Sequence, residues 1–258
     1  MLYNYHTHTY HCKHAIGTPE EYVQRALSCG IRYLGFSEHV PFRFPDGYES
    51  GYRLPNSEIT TYFSELTALR EKYRGQIDIK IGFEIEYYPA YFHQMLEHIT
   101  TSGAEYLILG QHFLYNEYPN GVYSNDPTLC PEDLQEYVSC IIAAIKSKVI
   151  TYVAHPDLCQ PVGDMDFYRE EMRKICTVSR ECNIPLEINF LGIRDNRRYP
   201  YEPFWELVGE EQAPVTFGFD AHDVPSAYDA TSLEKANYLV KKYNLNYIGM
   251  PEIINISR

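Results

Sequence analysis

A chain of 258 residues that is 45% hydrophobic, with a formal net charge of −13, has material for one sizeable core and no uninterrupted apolar run near the ~20 residues a membrane span needs. The acidic balance argues against nucleic acid as a partner, because affinity for long polyanions rests on lysine and arginine contacts to phosphates. Small anions stay open as substrates, since bound divalent cations reverse the field locally.

The first residues, Met1-Leu2-Tyr3-Asn4-Tyr5-His6, lack the basic segment and apolar stretch of a secretory signal, so a cytoplasmic location is expected. Seven cysteines, an odd set with no C-x-x-C pair, fit reduced thiols better than a disulfide framework. The 25 tyrosines could line a pocket, but read first as amphipathic packing at barrel and helix edges.

Short apolar runs alternate with amphipathic, helix-length segments from one end to the other, which is the rhythm of β/α units around a parallel sheet. We expect one domain over residues 1–258. A strand at Leu2–His6 precedes a helix that opens on Thr18-Pro19-Glu20-Glu21, an N-cap, a first-turn proline and a capping-box glutamate, and closes at Gly30. Then come a strand at Ile31–Phe36, a helix from Ser57 to Tyr73, a strand at Ile77–Glu84 and a helix at Pro89–Thr101. A strand at Glu105–Gly110 is followed by a helix at Pro131–Lys148, a strand at Val149–Ala154 and a helix at Asp166–Cys182. The last elements are strands at Pro185–Phe190 and Val215–Phe219, a helix at Ser232–Tyr243 and an eighth strand candidate at Asn246–Gly249. Two connections, Val40–Asn56 and Leu114–Thr128, exceed the usual few residues, and each follows a strand. In a barrel that puts them on the catalytic face, as substrate walls or a lid.

The chemistry gathers at the strand ends. The first strand runs into His6-Thr7-His8, whose spacing of two puts both imidazoles on one face of an extended chain. Others run into Ser37-Glu38-His39, Gly82-Phe83-Glu84, Gln111-His112, His155-Pro156-Asp157 and Asp220-Ala221-His222, and His14 follows the first strand. A lone histidine at a strand end is usually structural, but this joint pattern of seven histidines and two acids exceeds what one four-coordinate ion can use, so two or three ions are needed. Histidine and carboxylate donors without cysteine suit Zn, Mn or Fe. His11 is a candidate for supporting a ligand, whereas His93 and His98 read as surface residues.

These motifs in this order resemble the PHP (polymerase and histidinol phosphatase) family along nearly the whole chain. The resemblance implies a distorted (β/α)7 TIM-like barrel, in agreement with the seven better strands. Carried over by position, it implies a first metal on His6, His8, Glu84 and Asp220, a second on Glu84, His112 and His155, and a third on His14, His39 and His222. Glu84, Asp220 and His222 are the catalytic candidates. Within the family, Glu187-Ile188-Asn189-Phe190-Leu191-Gly192-Ile193-Arg194 resembles the stand-alone histidinol-phosphate phosphatases. Hydrolysis of L-histidinol phosphate, a small phosphorylated substrate, is therefore expected, by a hydroxide held between ions, since a cation-bound water can lose its proton at pH about 7. The chain departs from the pattern in Pro-Asp-Leu-Cys-Gln-Pro after His155 and in Gln111 before His112.

Arg194 is the preferred phosphate clamp, with Arg197 and then Arg198 behind it. Glu38 and Asp223 are expected to orient ligand imidazoles. Asp164-Met165-Asp166 precedes a helix, which does not suit an aspartyl nucleophile, and neither a phosphate-binding P-loop nor a serine elbow is present. The rival readings are a PHP-type phosphoesterase acting on nucleotides, oligonucleotides or phosphotyrosine, and a non-catalytic metal-binding regulatory domain. Oligomeric state leaves no mark in the sequence.

Overall fold

The computed structural model describes residues 1–128, 130–159 and 163–256. Its strands are β1 (Tyr3–Asn4), β2 (Tyr33–His39), β3 (Asp78–Ile85), β4 (Tyr106–Leu109), β5 (Phe113–Leu114), β6 (Val122–Tyr123), β7 (Tyr152–Val153), β8 (Leu186–Asn189), β9 (Pro214–Gly218) and β10 (Asn246–Tyr247). The helices are α1 (Pro19–Ser28), α2 (Ile59–Lys72), α3 (Phe92–Ser102), α4 (Pro131–Lys146), α5 (Met165–Cys182), α6 (Phe190–Arg194), α7 (Glu202–Glu211) and α8 (Ala230–Lys242). Eight strands form one curled parallel sheet in the order β1-β2-β3-β4-β7-β8-β9-β10, while β5 and β6 pair apart from it as an antiparallel hairpin. This is a distorted TIM-like barrel. No helix among the described residues is long and apolar enough to cross a membrane.

The strands are covered on both faces, which is why they read as short apolar runs and not as alternating ones. Outside, the helices pack on the sheet through one large apolar cluster. Tyr3, Tyr5, Tyr106, Ile108, Tyr152 and Ala154 form a separate cluster from alternate positions of β1, β4 and β7 and their extensions. Tyr106 donates its hydroxyl to Tyr5 O at 2.8 Å, and a Cβ on either Gly35 or Gly82 would overlap its ring. These tyrosines thus fill the inner sheet face instead of the barrel and helix edges expected from sequence.

The seam between the first and last strands explains the distortion. Past β1 and β9, Thr7 and Ala221 form a parallel bridge, and His8 N donates to Ala221 O at 2.9 Å. At the opposite end of β9 the partner is β10, so the ladder between β1 and β9 is broken. Side chains take its place: Tyr3 Oη accepts from Phe217 N at 3.3 Å and Asn4 Oδ1 from Phe219 N at 3.1 Å.

α1 starts on the expected capping box, and Asp164 caps α5. Missing from the expectation were the β5/β6 hairpin, which runs from Phe113 into the Leu114–Thr128 connection, and the helices α6 and α7. No side chain caps α7, and it carries Gly209, where a Cβ would overlap Tyr243 O; the position serves close packing at a cost in helix propensity. His93 is exposed as expected, but His98 is half-buried and held to Asn56 Oδ1 at 2.9 Å.

Candidate metal centre

The ends of six of the parallel strands, β1, β2, β3, β4, β7 and β9, converge and deliver the candidate donors. His6 and His8, two apart past β1, turn their rings to the same side, 5.2 Å between centroids. β2 ends on His39, β3 carries Glu84, and short extensions past β4, β7 and β9 bring His112, His155, Asp220 and His222. His155 (φ 30) and Asp220 (φ 47) both hold left-handed backbone, a conformation that non-glycine residues adopt reluctantly and that concentrates at functional sites.

Glu84 is the hub, with a side chain 1% exposed. Its Oε2 lies 3.5 Å from His6 Nε2, 3.2 Å from His8 Nε2 and 3.3 Å from His39 Nδ1. Its Oε1 lies 3.5 Å from His112 Nε2 and 3.0 Å from His155 Nε2. Asp220 Oδ1 stands 3.4 Å from His6 Nε2 and 3.7 Å from His8 Nε2. A tetrahedral ion with bonds of about 2.0–2.2 Å needs donors roughly 3.3–3.6 Å apart, so the spacing fits shared cations. Chemistry agrees with geometry, because His6 Nε2, His8 Nε2 and His39 Nδ1 are buried without a hydrogen-bond partner, and an orphaned buried nitrogen is costly unless something coordinates it. His14 and His222 approach each other Nε2 to Nε2 at 2.9 Å, with His39 stacked on His14 at 5.2 Å.

The outer nitrogens fix the tautomers. Glu187 accepts from His6 Nδ1 at 2.9 Å, and Glu86 accepts from His112 Nδ1 at 3.1 Å. Cys12 O faces His14 Nδ1 at 3.0 Å, and Asp220 O faces His222 Nδ1 at 3.2 Å. Glu38 Oε2 is 3.7 Å from His8 Nδ1, the neighbour expected of it, while its Oε1 accepts from Thr9 N and Thr9 Oγ1. Such acceptors turn Nε2 inward as a lone pair. Asp223 does something else: its Oδ1 caps Ser226 N at 2.8 Å and touches no imidazole. His11 bonds Glu65 at 3.0 Å, which ties the turn carrying His14 to α2 and supports no ligand.

The acids and imidazoles of the cluster shift one another. Burial opposes charge on His6 and His8, yet Asp220, Glu187 and Glu84 around His6, and the Cys12 thiol with Glu38 and Glu84 around His8, hold both well above the usual histidine value. Burial likewise opposes charge on Glu84 and Asp220, and the facing imidazoles, His112 for Glu84 and His6 for Asp220 foremost, hold them well below the carboxylate range. Burial pushes His14 and His39 down and takes His222 to about 3, leaving neutral lone pairs, the form that binds metal.

Above the donors lies a cavity of about 410 Å³. Tyr52 from one long loop and Phe113 and Tyr123 from the β5/β6 hairpin line it, so both long connections do supply walls. Arg194 and Arg197 also line it. Arg194 is largely committed: its Nη1 and Nη2 donate to Phe219 O, Nη2 to Asp220 O at 3.2 Å, and Nη1 pairs with Asp229 at 3.3 Å. Arg197 has fewer partners, Asp195 at 3.1 Å and Tyr199 Oη at 3.4 Å, and so keeps more of its guanidinium for the cavity. Arg198 does not line the cavity.

Sequence reading missed Glu86, Glu187 and Arg53. The first had a signal, since it stands two after Glu84, just past the end of β3, at the spacing that keeps side chains of an extended chain on one side. Gln111 is a brace: its amide accepts from Tyr87 N at 2.9 Å and donates to Phe113 O at 2.9 Å. Of the departure after His155, Gln160 and Pro161 lie outside the described residues, while Asp157 accepts from Trp205 Nε1 at 2.9 Å.

Comparison with known proteins finds relatives along most of the chain. It is 27% identical over 228 residues to a probable histidinol-phosphatase of Deinococcus radiodurans, covering 84% of this chain and 85% of that one. It is 26% identical over 262 residues to the histidinol-phosphatase of Bacillus subtilis, covering 87% and 96%. A crystal structure of histidinol phosphate phosphatase from Lactococcus lactis, complexed with zinc, L-histidinol and phosphate, shares the fold with a TM-score of 0.72 at 22% identity over 95% of both chains. The PHP domain model matches residues 4–190, which include seven of the nine candidate donor residues, and the chain belongs to that family.

Proposed function

We propose that this protein is a metal-dependent phosphomonoesterase that hydrolyses L-histidinol phosphate to L-histidinol and phosphate. The observation that carries the proposal is Glu84, a buried carboxylate with five imidazole nitrogens at 3.0–3.5 Å, beneath a cavity edged by an available arginine. A purely structural site has no need of that cavity or that guanidinium. The names of the relatives supply the organic half of the substrate.

His6, His8, Glu84 and Asp220 would hold one divalent cation, Glu84, His112 and His155 a second, and His14, His39 and His222 a third. Zinc, manganese and iron all suit the donors. When bound, such cations lower the pKa of a water to about 7 and neutralise charge on phosphoryl oxygens. The protein's own work is positioning. Glu187 and Glu86 keep His6 and His112 in the tautomer that points Nε2 at the centre, and Arg197 grips the phosphate oxygens. Tyr52, Phe113 and Tyr123 enclose the organic half with flat aromatic surface. Asp220 and His222 fall beyond the matched 4–190, so we read 1–258 as one functional unit. The net charge of −13 supports a small substrate over nucleic acid, and seven free cysteines support a reducing, cytoplasmic setting.

Phosphate release from L-histidinol phosphate should be compared with release from nucleoside, sugar and tyrosyl phosphates. A kcat/KM at least tenfold higher for histidinol phosphate supports the reading. Equal or greater rates on another ester would overturn it.

A further inference from the structure

Beside the donor cluster lies a second set of buried charges, Arg53, Glu86 and Glu117, of which only Glu86 supports the phosphatase chemistry proposed above. Arg53, in the loop Val40–Asn56, is 2% exposed. Its Nη1 donates to Val40 O at 2.9 Å, its Nη2 to Glu86 Oε2 at 2.7 Å and its Nε to Glu117 Oε2 at 2.9 Å. Glu117 belongs to the other long loop and also accepts from Ser50 Oγ and Tyr52 Oη. Glu86 turns its remaining oxygen to His112 Nδ1 at 3.1 Å. One guanidinium therefore spans both long loops and reaches a metal-ligand candidate through a single carboxylate.

Two carboxylates against one guanidinium leave an excess negative charge in a buried place, which is costly unless a further positive group compensates. On the Glu86 side, the group in place is the His112 imidazole, whose Nε2 faces Glu84 at 3.5 Å. A cation on that nitrogen would polarise Nδ1–H toward Glu86 and complete the compensation. The arrangement is specific to His112, because Glu187 behind His6 is steadied by Asn189 and Glu38 near His8 by Thr9. At its other end the network holds Tyr52, whose ring stands edge-on to His39 at 5.3 Å and stacks on Phe113 at 6.0 Å.

We propose that Arg53 is a positioning residue with two outputs: through Glu86 it aims His112 at its metal, and through Glu117 it sets Tyr52 as a wall of the substrate cavity. The second output rests on the phosphatase reading above, whereas the first needs only that the cluster binds metal.

The test uses full-length R53M, R53K, E86Q and E117Q. Zinc affinity is read by chelator competition, and KM and kcat are read on L-histidinol phosphate. E86Q should lose 10–100-fold in affinity for one zinc equivalent, with KM within about threefold of wild type. E117Q should keep its zinc and raise KM at least fivefold. R53M should show both losses. R53K, which keeps the charge but lacks the fork, should regain part of the zinc affinity and little of the KM. Folded R53M with wild-type zinc affinity and KM overturns the proposal, and so do E86Q and E117Q that fail in the same way, which would mark a merely structural loop tie. If R53M does not fold, the contrast between the two glutamate variants decides. Zinc affinity is measured without substrate, so a wild-type protein that binds zinc yet leaves histidinol phosphate intact removes the phosphatase reading and the KM output, while the His112 output stands or falls on the zinc numbers.

Discussion

Replacing Glu187 by glutamine tests the logic of the centre with a change of one atom. The carboxylate is fully buried, accepts from His6 Nδ1 at 2.9 Å through Oε2, and accepts from Asn189 Nδ2 at 2.6 Å through Oε1. A glutamine amide can accept on one side only. If its oxygen serves His6, its NH₂ faces the Asn189 NH₂. If its oxygen serves Asn189, its NH₂ faces His6 Nδ1 and favours the tautomer with hydrogen on Nε2, which blocks the metal lone pair. Asn189 has no easy flip, because Nδ2 also donates to Asp220 Oδ2 at 3.0 Å and Oδ1 accepts from Gly192 N at 3.1 Å. One buried polar contact must fail, at about 1–3 kcal/mol. That amounts to about 10–100-fold in affinity for the cation His6 serves, the range typical of supporting-residue losses, and a Tm lower by roughly 2–10 °C. Chelator competition and thermal melting of the metal-stripped and zinc-loaded protein read the two effects. E187Q with unchanged zinc affinity and unchanged kcat/KM would refute the assignment of Glu187 as the tautomer setter.

Gly110→Ala should release at least one zinc equivalent, since a Cβ there would overlap Glu84 Oε1; elemental analysis after dialysis checks this. Arg197→Ala should lower kcat/KM by about 10–100-fold through loss of a charge-assisted contact to phosphate, with Tm nearly unchanged. Arg194→Ala should instead lower Tm, because that side chain braces the turn at Phe219 and Asp220. The pH dependence of the stripped protein should be a dome. His6, His8 and His112, raised when folded, contribute stability that is full below about pH 6.5 and lost as pH climbs through their folded values. His14, His39 and His222, lowered when folded, and the depressed Glu84 and Asp220 contribute stability that is lost as pH falls. Melting from pH 4 to pH 9 should peak near pH 6.5 without metal, and zinc should move the peak upward because ligands bind it deprotonated.

The donors were legible because parallel strands impose a simple rule, side chains at strand ends facing one mouth, and because histidines and acids are scarce enough to stand out. Strand bounds were less so: β7 is two residues long where Val149–Ala154 was expected, since apolar sequence marks burial and not hydrogen bonding. Glu187 lay inside a predicted strand, two before Asn189, and its value depends on the position of His6, which is 181 residues away. Arg53 carried no local pattern at all. Its meaning comes from two loops meeting, and pairwise long-range contacts leave no periodic trace. The contacts that occupy Arg194 were hidden for a similar reason, because the carbonyls it bonds belong to the next strand's end.

The most direct test of the whole account is a zinc titration of the stripped protein, with bound zinc per chain and L-histidinol phosphate turnover followed together. Turnover should be negligible without metal, and activity should rise to a plateau as binding approaches three equivalents. Full activity in the stripped protein, or saturation at a single equivalent, would contradict it.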